Sequence, residues 1–123
     1  NQPNVSRKKI DKNSVIQMNN FLKNEISLDD IFVCYHDDKD NCDCRKPKPG
    51  LLLEAGKKWD VDFKKSFMIG DRWRDIEAGK NIGCKTIFLD YKYYNEPKPK
   101  KPSFVSDTLL NAVHIIEKHI YEK

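Results

Sequence analysis

Apolar residues recur along the chain at two spacings, and the alternation of these spacings predicts alternating helices and strands. Four segments show the spacing of an amphipathic helix: residues 12–25, 51–60, 73–83 and 107–120. Four short apolar or β-branched runs indicate strands: residues 29–35, 65–71, 84–89 and 103–107. The last run is short enough to be a connector instead. Strands that alternate with helices are typical of an α/β domain with a parallel sheet.

Composition narrows the class of protein without identifying it. With 123 residues the chain is long enough for one domain with a modest core, and we expect a single domain over residues 1–123. No apolar run reaches the roughly 20 residues that a membrane span requires, and the first residues do not form a signal peptide. We therefore expect a cytoplasmic protein with no membrane partner. Because the chain does not begin with Met, we interpret Asn1 as a processing point or a cut.

The formal net charge of +4 is a mild excess, and much of it falls in the loop EPKPKKP, residues 96–102. Lysines close to Tyr91, Tyr93 and Tyr94 are compatible with a surface that binds nucleic acid. However, these lysines alternate with prolines, and the Cys/His spacing described next is not that of a zinc finger. Nucleic-acid binding is therefore the least favoured of the functions considered.

Three of the four cysteines and one histidine lie within a short segment, residues 34–44. They form the pattern C-x-H-x5-C-x-C: Cys34, His36, Cys42 and Cys44. Three thiolates and an imidazole complete the tetrahedral shell that zinc prefers and leave no position for water, so the pattern predicts a structural Zn²⁺. Coincidentally close free thiols are the alternative. Cys84 begins a predicted strand and is expected to be a small buried apolar residue.

A second set of candidate residues follows the predicted strand 65–71. Asp71 comes after Gly70 at the carboxyl end of this strand, where open α/β sheets bind their ligands. Asp75 lies four residues later, on the same side of the next helix. Because Mg²⁺ is usually held by one or two carboxylates, the pair predicts a magnesium site. The alternative is that both residues only cap the helix and complement its dipole.

The segment CDCRKPKPG, residues 42–50, supplies cations for an anionic ligand. Its prolines hold the backbone extended, and Lys46 lies on this rigid turn just before a predicted helix. A lysine and a magnesium ion that converge on one phosphate are the usual arrangement for phosphoryl transfer. Arg45 and Lys48 are further candidates, one of which is expected to face solvent.

These motifs, in this order, resemble those of the haloacid-dehalogenase-like (HAD) phosphatases. The run from CYHDDKDNCDCRKPKPG through FMIGDRWRDIEAG to CKTIFL is similar to the branch of that family that carries a zinc loop. The resemblance implies a Rossmann-like parallel sheet flanked by helices, a catalytic Mg²⁺ and a structural Zn²⁺. It also implies hydrolysis of a small phosphorylated metabolite through an aspartyl-phosphate. The implied substrate is a sugar bisphosphate, such as heptose 1,7-bisphosphate, or histidinol phosphate.

The resemblance also implies a role for each matching residue. Lys46 matches the lysine that neutralises the transferring phosphate, and Asp71 matches the aspartate that binds magnesium. Asp75 matches a second acidic residue of the magnesium motif, which more often orients the loop. The implied substrate-binding residues are Asn1, Arg7, Arg45 and Lys46. Pro3 and Asn4 depart from the Ser-Gly that the family usually has at these positions.

One motif of the family does not occur among the 123 residues. The family's nucleophile is the first Asp of D-x-D-G-[TS], and no Asp-x-Asp in this chain is followed by glycine. Asp38-x-Asp40 lies inside the predicted zinc loop, and we reject it as the nucleophile. We therefore expect a C-terminal portion of the domain that lacks the first two strands, is marginally stable and has no phosphatase activity alone. Exposed strand edges would favour self-association or a partner chain that completes the sheet.

Two functions consequently stay open for the chain. The first is part of a magnesium-dependent phosphatase, which the presence of Lys46, Asp71 and Asp75 favours. The second is a non-catalytic remnant stabilised by zinc, or one half of a split enzyme, which the missing nucleophile favours. Hydrolysis of p-nitrophenyl phosphate by the chain alone would contradict the expected inactivity.

Overall fold

The structure is a computed structural model that describes residues 1–121. The chain divides into two compact units, Asn1–Arg45 and a second unit that begins at Lys46. Among residues 1–121, none of the helices combines the length and the hydropathy that a bilayer span requires. The expectation of one domain over residues 1–123 stays a prediction.

The first unit contains two α-helices and one turn of 3-10 helix: α1 (Pro3–Ser6), α2 (Lys12–Glu25) and Asp38–Asp40. α2 begins and ends where the apolar spacing predicts. Val15 in its first turns is fully buried, whereas Phe21 is 65% exposed. The apolar stripe of α2 is therefore buried at its amino-terminal end and open to solvent further along.

The strand predicted over residues 29–35 does not form, and residues 30–37 have neither helix nor strand structure. The backbone N–H of Gln2 donates to the carbonyl of Cys34 at 2.6 Å, and the Cys34 side chain is buried. The apolar run thus reflects partial burial of an extended segment. A strand also requires a neighbour that pairs with it residue by residue, and no strand of residues 1–121 pairs with this segment.

The second unit is built on a three-stranded parallel sheet with the order β1-β2-β3. Its strands are β1 (Phe67–Gly70), β2 (Lys85–Leu89) and β3 (Phe104–Ser106). In the centre of the sheet Ile69 pairs with Ile87, and Ile87 pairs with Phe104. The predicted parallel sheet is confirmed, and the short run at residues 103–107 contains a strand.

Alternate residues of the strands face two helices on opposite sides of the sheet, α4 (Trp73–Asn81) and α5 (Leu109–Tyr121). The core on the α5 side includes Ile69, Ile87, Leu89, Ala112 and Ile115. On the other side Gly79 of α4 approaches Met68 and Thr86 so closely that a Cβ at residue 79 would overlap the Met68 side chain. A parallel sheet with a helix on each face is the architecture that the sequence predicts.

α3 (Gly50–Trp59) and a 3-10 turn (Phe63–Lys65) precede the sheet. The last helix is capped by Thr108, whose hydroxyl accepts the N–H of Asn111 at 3.0 Å. Asp107 accepts a hydrogen bond from the side-chain amide of Asn111. Thr and Asp are both good caps, and the helix begins two residues later than the predicted segment 107–120.

Candidate functional site

β1 ends in a turn that requires glycine. Gly70 is buried, and a Cβ at this position would overlap the side chain of Asp75. The first turn of α4 can therefore pack directly on the end of the strand. Asp71 follows with a partly exposed side chain, at the edge where open α/β sheets bind their ligands.

Asp75 is 5% exposed, and both of its carboxylate oxygens have protein partners. Oδ2 accepts the backbone N–H of Arg72 at 3.1 Å, which satisfies the donor of the N-cap residue of α4. Oδ1 forms an ion pair with Nζ of Lys46. A buried carboxylate is unfavourable unless it is paired and hydrogen-bonded, and Asp75 meets both conditions.

Lys46 lies in the segment before α3, and its peptide bond to Pro47 is cis. Its side chain is 26% exposed, compared with 7% for the side chain of Asp75, so water screens the ion pair only in part. The structure thus brings Lys46 and Asp75 together beside the turn that carries Asp71. Their roles in phosphate and magnesium binding stay predictions.

Asp71 has a partner that sequence reasoning missed. The hydroxyl of Tyr93 donates to Oδ2 of Asp71 at 2.6 Å. This hydrogen bond, together with burial, raises the pKa of Tyr93 above its ordinary value, because an ionised phenol would face the carboxylate charge. One signal could have found it: Tyr93 follows β2, and the carboxyl ends of adjacent parallel strands meet at the same edge of the sheet.

In the first unit the four predicted zinc ligands lie together. One ligand atom from each residue lies within 4.8 Å of the others: Cys34, His36, Cys42 and Cys44. Sγ of Cys34 lies 3.6 Å from Sγ of Cys42, and Nδ1 of His36 lies 3.2 Å from Sγ of Cys44. Tetrahedral zinc with Zn–S bonds of about 2.3 Å separates its sulfur ligands by roughly 3.8 Å. The Cys34–Cys42 separation is close to this value, whereas Sγ of Cys44 lies only 2.7 Å from Sγ of Cys34, so a bound zinc ion would move these two sulfurs apart. The donor set of three thiols and one imidazole fits a zinc ion.

The thiols of this cluster differ in their affinity for protons. Burial opposes the ionisation of Cys42, but hydrogen bonds from the backbone of Arg45 and Cys44 outweigh it and lower the pKa of Cys42 to about 7. Burial is the main cause that raises the pKa of Cys44 to about 12, and hydrogen bonds with Cys34 and Cys42 raise it further. Since a metal ion binds thiolates, metal binding at this cluster would release protons.

Three of the predicted substrate-binding residues lie in the first unit: Asn1, Arg7 and Arg45. Both arginines contact carboxylates of the acidic segment 37–40. Arg7 makes a two-point contact with Asp37, in which Nη2 lies 2.8 Å from Oδ1, and Nε of Arg45 lies 2.7 Å from Oδ1 of Asp38. The Arg7 guanidinium holds the pKa of Asp37 well below its usual range. A role in substrate binding stays a prediction for these residues.

Neither Asp-x-Asp pair of the chain follows a strand, as a HAD nucleophile would. Asp38 and Asp40 form the 3-10 turn of the first unit. Asp60 ends α3 in the left-handed conformation with φ of 51°, and Asp62 accepts the backbone N–H of Lys64 at 3.1 Å. Both pairs therefore serve local turn structure.

Comparisons with known proteins establish the family. A family model described as HAD-hydrolase-like matches residues 43–112. The D-glycero-beta-D-manno-heptose-1,7-bisphosphate 7-phosphatase of Pasteurella multocida (strain Pm70) is 30% identical over an alignment of 130 positions. The alignment covers 95% of this chain and 71% of that protein. The chain therefore belongs to the HAD-like hydrolase family.

Other relatives match a smaller part of the chain. The D-glycero-alpha-D-manno-heptose-1,7-bisphosphate 7-phosphatase of Campylobacter jejuni is 44% identical over 69 residues, which cover 56% of this chain and 39% of that protein. The chain spans between 36% and 43% of the length of this relative and of the D-glycero-beta-D-manno-heptose-1,7-bisphosphate 7-phosphatases of two Helicobacter pylori strains. The conclusions about activity and substrate are accordingly proposals.

A solved structure shares the fold. The D,D-heptose 1,7-bisphosphate phosphatase from B. bronchiseptica, complexed with magnesium and phosphate, superposes with a TM-score of 0.75 at 23% identity. The superposition covers 99% of this chain and 72% of that chain. The predicted HAD-like fold class is confirmed.

Proposed function

We propose that the protein is the C-terminal portion of a HAD-like domain in a magnesium-dependent phosphatase of small phosphorylated metabolites. The favoured substrate is a sugar bisphosphate such as heptose 1,7-bisphosphate, because the relatives described above are named as phosphatases of that compound. The observation that carries the proposal is the ion pair of Lys46 with Asp75 at the turn that bears Asp71. The Lys46 ammonium contacts a buried carboxylate that packs on Gly70, the residue before Asp71, which supports a role for both residues at this edge of the sheet.

In this proposal the two aspartates have different roles. Asp71 is partly exposed and is the chain's own ligand for Mg²⁺, whereas Asp75 already uses both oxygens and orients the site. When bound, Mg²⁺ supplies positive charge to the phosphate oxygens. The ammonium group of Lys46 donates hydrogen bonds to the same phosphate. Asp75 restricts the positions that this ammonium group can take.

The proposed reaction proceeds through an aspartyl-phosphate, which divides one displacement into two easier steps. The chain contains no D-x-D-G-[TS], so the nucleophile in this proposal comes from residues other than these 123. These residues belong either to the same polypeptide or to a partner chain that completes the sheet. The residues described here then bind and neutralise the phosphate instead of attacking it.

We also propose that the cluster of three thiols and one imidazole holds a structural Zn²⁺. A complete shell of four protein ligands leaves no position for a reactive water. Cys44 precedes Lys46 by two residues, so a metal that fixes this loop also restricts the segment that leads to the lysine. The metal thereby stabilises the phosphate-binding segment without taking part in the chemistry.

The experiment compares two proteins, the chain as printed and the product of its complete reading frame. Release of inorganic phosphate is measured with Mg²⁺ on heptose 1,7-bisphosphate, histidinol phosphate and p-nitrophenyl phosphate. We expect turnover only by the complete product, with the largest kcat/KM on the heptose bisphosphate. Lys46→Met and Asp71→Asn should abolish turnover, whereas Lys57→Met, the same change at an exposed lysine of α3, should retain it.

A complete product without turnover, or an active Lys46→Met variant, would overturn the proposal. The second candidate, a non-catalytic zinc-stabilised scaffold, is favoured by the absence of D-x-D-G-[TS]. It predicts that the complete product binds zinc and is inactive on all three phosphates. Light scattering during size-exclusion chromatography would show whether the printed chain self-associates through its edge strands β1 and β3.

A further inference from the structure

The loop that follows β2 reaches back to the end of β1 through Tyr93. The phenol hydroxyl donates to Oδ2 of Asp71 across 22 positions of sequence, at a distance of 2.6 Å. No residue within 1–121 donates a hydrogen bond to the other oxygen, Oδ1. One oxygen of this carboxylate is therefore held by the protein and the other is open to a ligand.

A charged group and an aromatic ring contact Tyr93 and restrict the position of its ring. The guanidinium of Arg72 lies over the ring, 4.4 Å from its centroid, and forms an ion pair with Glu96 of the same loop. The ring of Tyr91 packs edge-on against Tyr93 at 6.0 Å. A cation above one face and an aromatic edge at the side restrict the rotamer of Tyr93.

We propose that Tyr93 is a positioning residue for the metal-binding carboxylate of Asp71, which extends the divalent-cation site to the loop after β2. This inference rests on the proposed function, in which Asp71 is the chain's own ligand for Mg²⁺. A hydrogen bond to one carboxylate oxygen fixes the direction of the other. The conformational entropy of the Asp71 side chain is therefore lost before the cation binds, and binding is tighter. Removal of such a partner typically weakens metal binding by about 10–100-fold.

The test measures cation binding directly, on the printed chain and without a substrate. Mn²⁺ serves as the probe for the Mg²⁺ site, because the electron paramagnetic resonance signal of free Mn²⁺ decreases as the ion binds. The variants are Tyr93→Phe, which deletes the hydroxyl alone, and Tyr94→Phe, the same change at a side chain that is 95% exposed. Asp71→Asn removes the proposed ligand itself.

We expect the dissociation constant for Mn²⁺ to rise about tenfold in Tyr93→Phe, the lower limit for such partners. Tyr94→Phe should match the unsubstituted chain, and Asp71→Asn should lose the site. Mn²⁺ should also produce a tyrosine ultraviolet difference signal that Tyr93→Phe lacks and Tyr94→Phe retains. A purely structural role for Tyr93 would not remove that signal selectively.

The outcomes separate this inference from the proposed function. If Asp71→Asn loses binding while Tyr93→Phe binds as tightly as the unsubstituted chain, or more tightly, the inference is wrong and the metal site stands. If Asp71→Asn binds Mn²⁺ like the unsubstituted chain, the proposed metal site is wrong, and the role of Tyr93 is wrong with it. A Tyr93→Phe variant with an altered circular dichroism spectrum also contradicts the inference, because positioning one carboxylate should leave the fold unchanged.

Discussion

The ion pair between Lys46 and Asp75 predicts a measurable coupling energy between two residues 29 positions apart in sequence. Exposed pairs contribute about 0–1 kcal/mol. Removal of one partner from a fully buried pair costs about 3–5 kcal/mol. Here the carboxylate is almost fully buried, while the lysine side chain is 26% exposed, so the pair lies between these limits. We expect a coupling of about 2 kcal/mol.

The assay is a double-mutant cycle with Asp75→Asn, Lys46→Met and the double variant. Asparagine retains an oxygen that can accept the Arg72 N–H, so the substitution mainly removes charge. Urea unfolding is followed by tryptophan fluorescence, since both tryptophans, Trp59 and Trp73, lie in the same unit as the pair. With an m-value of about 1.5 kcal/mol/M, a loss of about 2 kcal/mol lowers the urea midpoint by about 1.3 M.

The reasoning is refuted if the coupling energy is below about 0.5 kcal/mol, the usual error of additivity between distant sites. It is also refuted if Lys57→Met destabilises the protein as much as Lys46→Met does. Lys57 is the appropriate control because it lies on α3, in the same unit, and has an exposed side chain. Either result would show that the contact with Asp75 does not determine the effect at residue 46.

Three further substitutions test other parts of the molecule. Cys44→Ser should reduce bound zinc, measured by inductively coupled plasma mass spectrometry, from about one ion per chain to a small fraction, whereas Cys84→Ser should retain it. Gly70→Ala should destabilise the protein by about 1–3 kcal/mol in urea, because its Cβ overlaps the first turn of α4; an unchanged midpoint would contradict this. Hydrogen bonds from the side chain and backbone of Lys92 lower the pKa of Asp90, so its contribution to stability is present above the unfolded carboxyl pKa of about 3.9 and is lost as the pH falls below it. Asp90→Asn should therefore reduce the loss of stability between pH 5 and pH 3, measured by urea unfolding at both values.

The helices and the parallel sheet could be predicted from the sequence because each is determined by a local pattern. Strands buried on both faces need apolar residues at consecutive positions, and Met68 and Ile69 show this on the α4 and α5 sides of β1. The clustering of three thiols and one imidazole could be predicted for a similar reason, since all four side chains lie within residues 34–44. Short sequence separation leaves few alternative arrangements for these side chains.

The segment 29–35 shows where local patterns are insufficient. Its β-branched and aromatic residues favour extended backbone, and the backbone from residue 30 to residue 37 is indeed non-helical. A strand is nevertheless defined by hydrogen bonds to a partner, and propensity carries no information on whether that partner is present. The contact of Tyr93 with Asp71 was missed for a related reason, because it depends on which strands are adjacent.

Asp71 and Asp75, the two residues of the predicted magnesium site, have different surroundings. Asp75 is buried, and its oxygens are used by the Lys46 ammonium and the Arg72 N–H. Asp71 is partly exposed and has one oxygen that accepts no hydrogen bond from residues 1–121. Of these two residues, only Asp71 can therefore bind a cation without first breaking contacts within the protein.

We expect Asp71→Asn to abolish Mn²⁺ binding with little change in the urea midpoint, and Asp75→Asn to lower the midpoint while retaining residual Mn²⁺ binding. Equal effects of both substitutions on both measurements would contradict this division of roles.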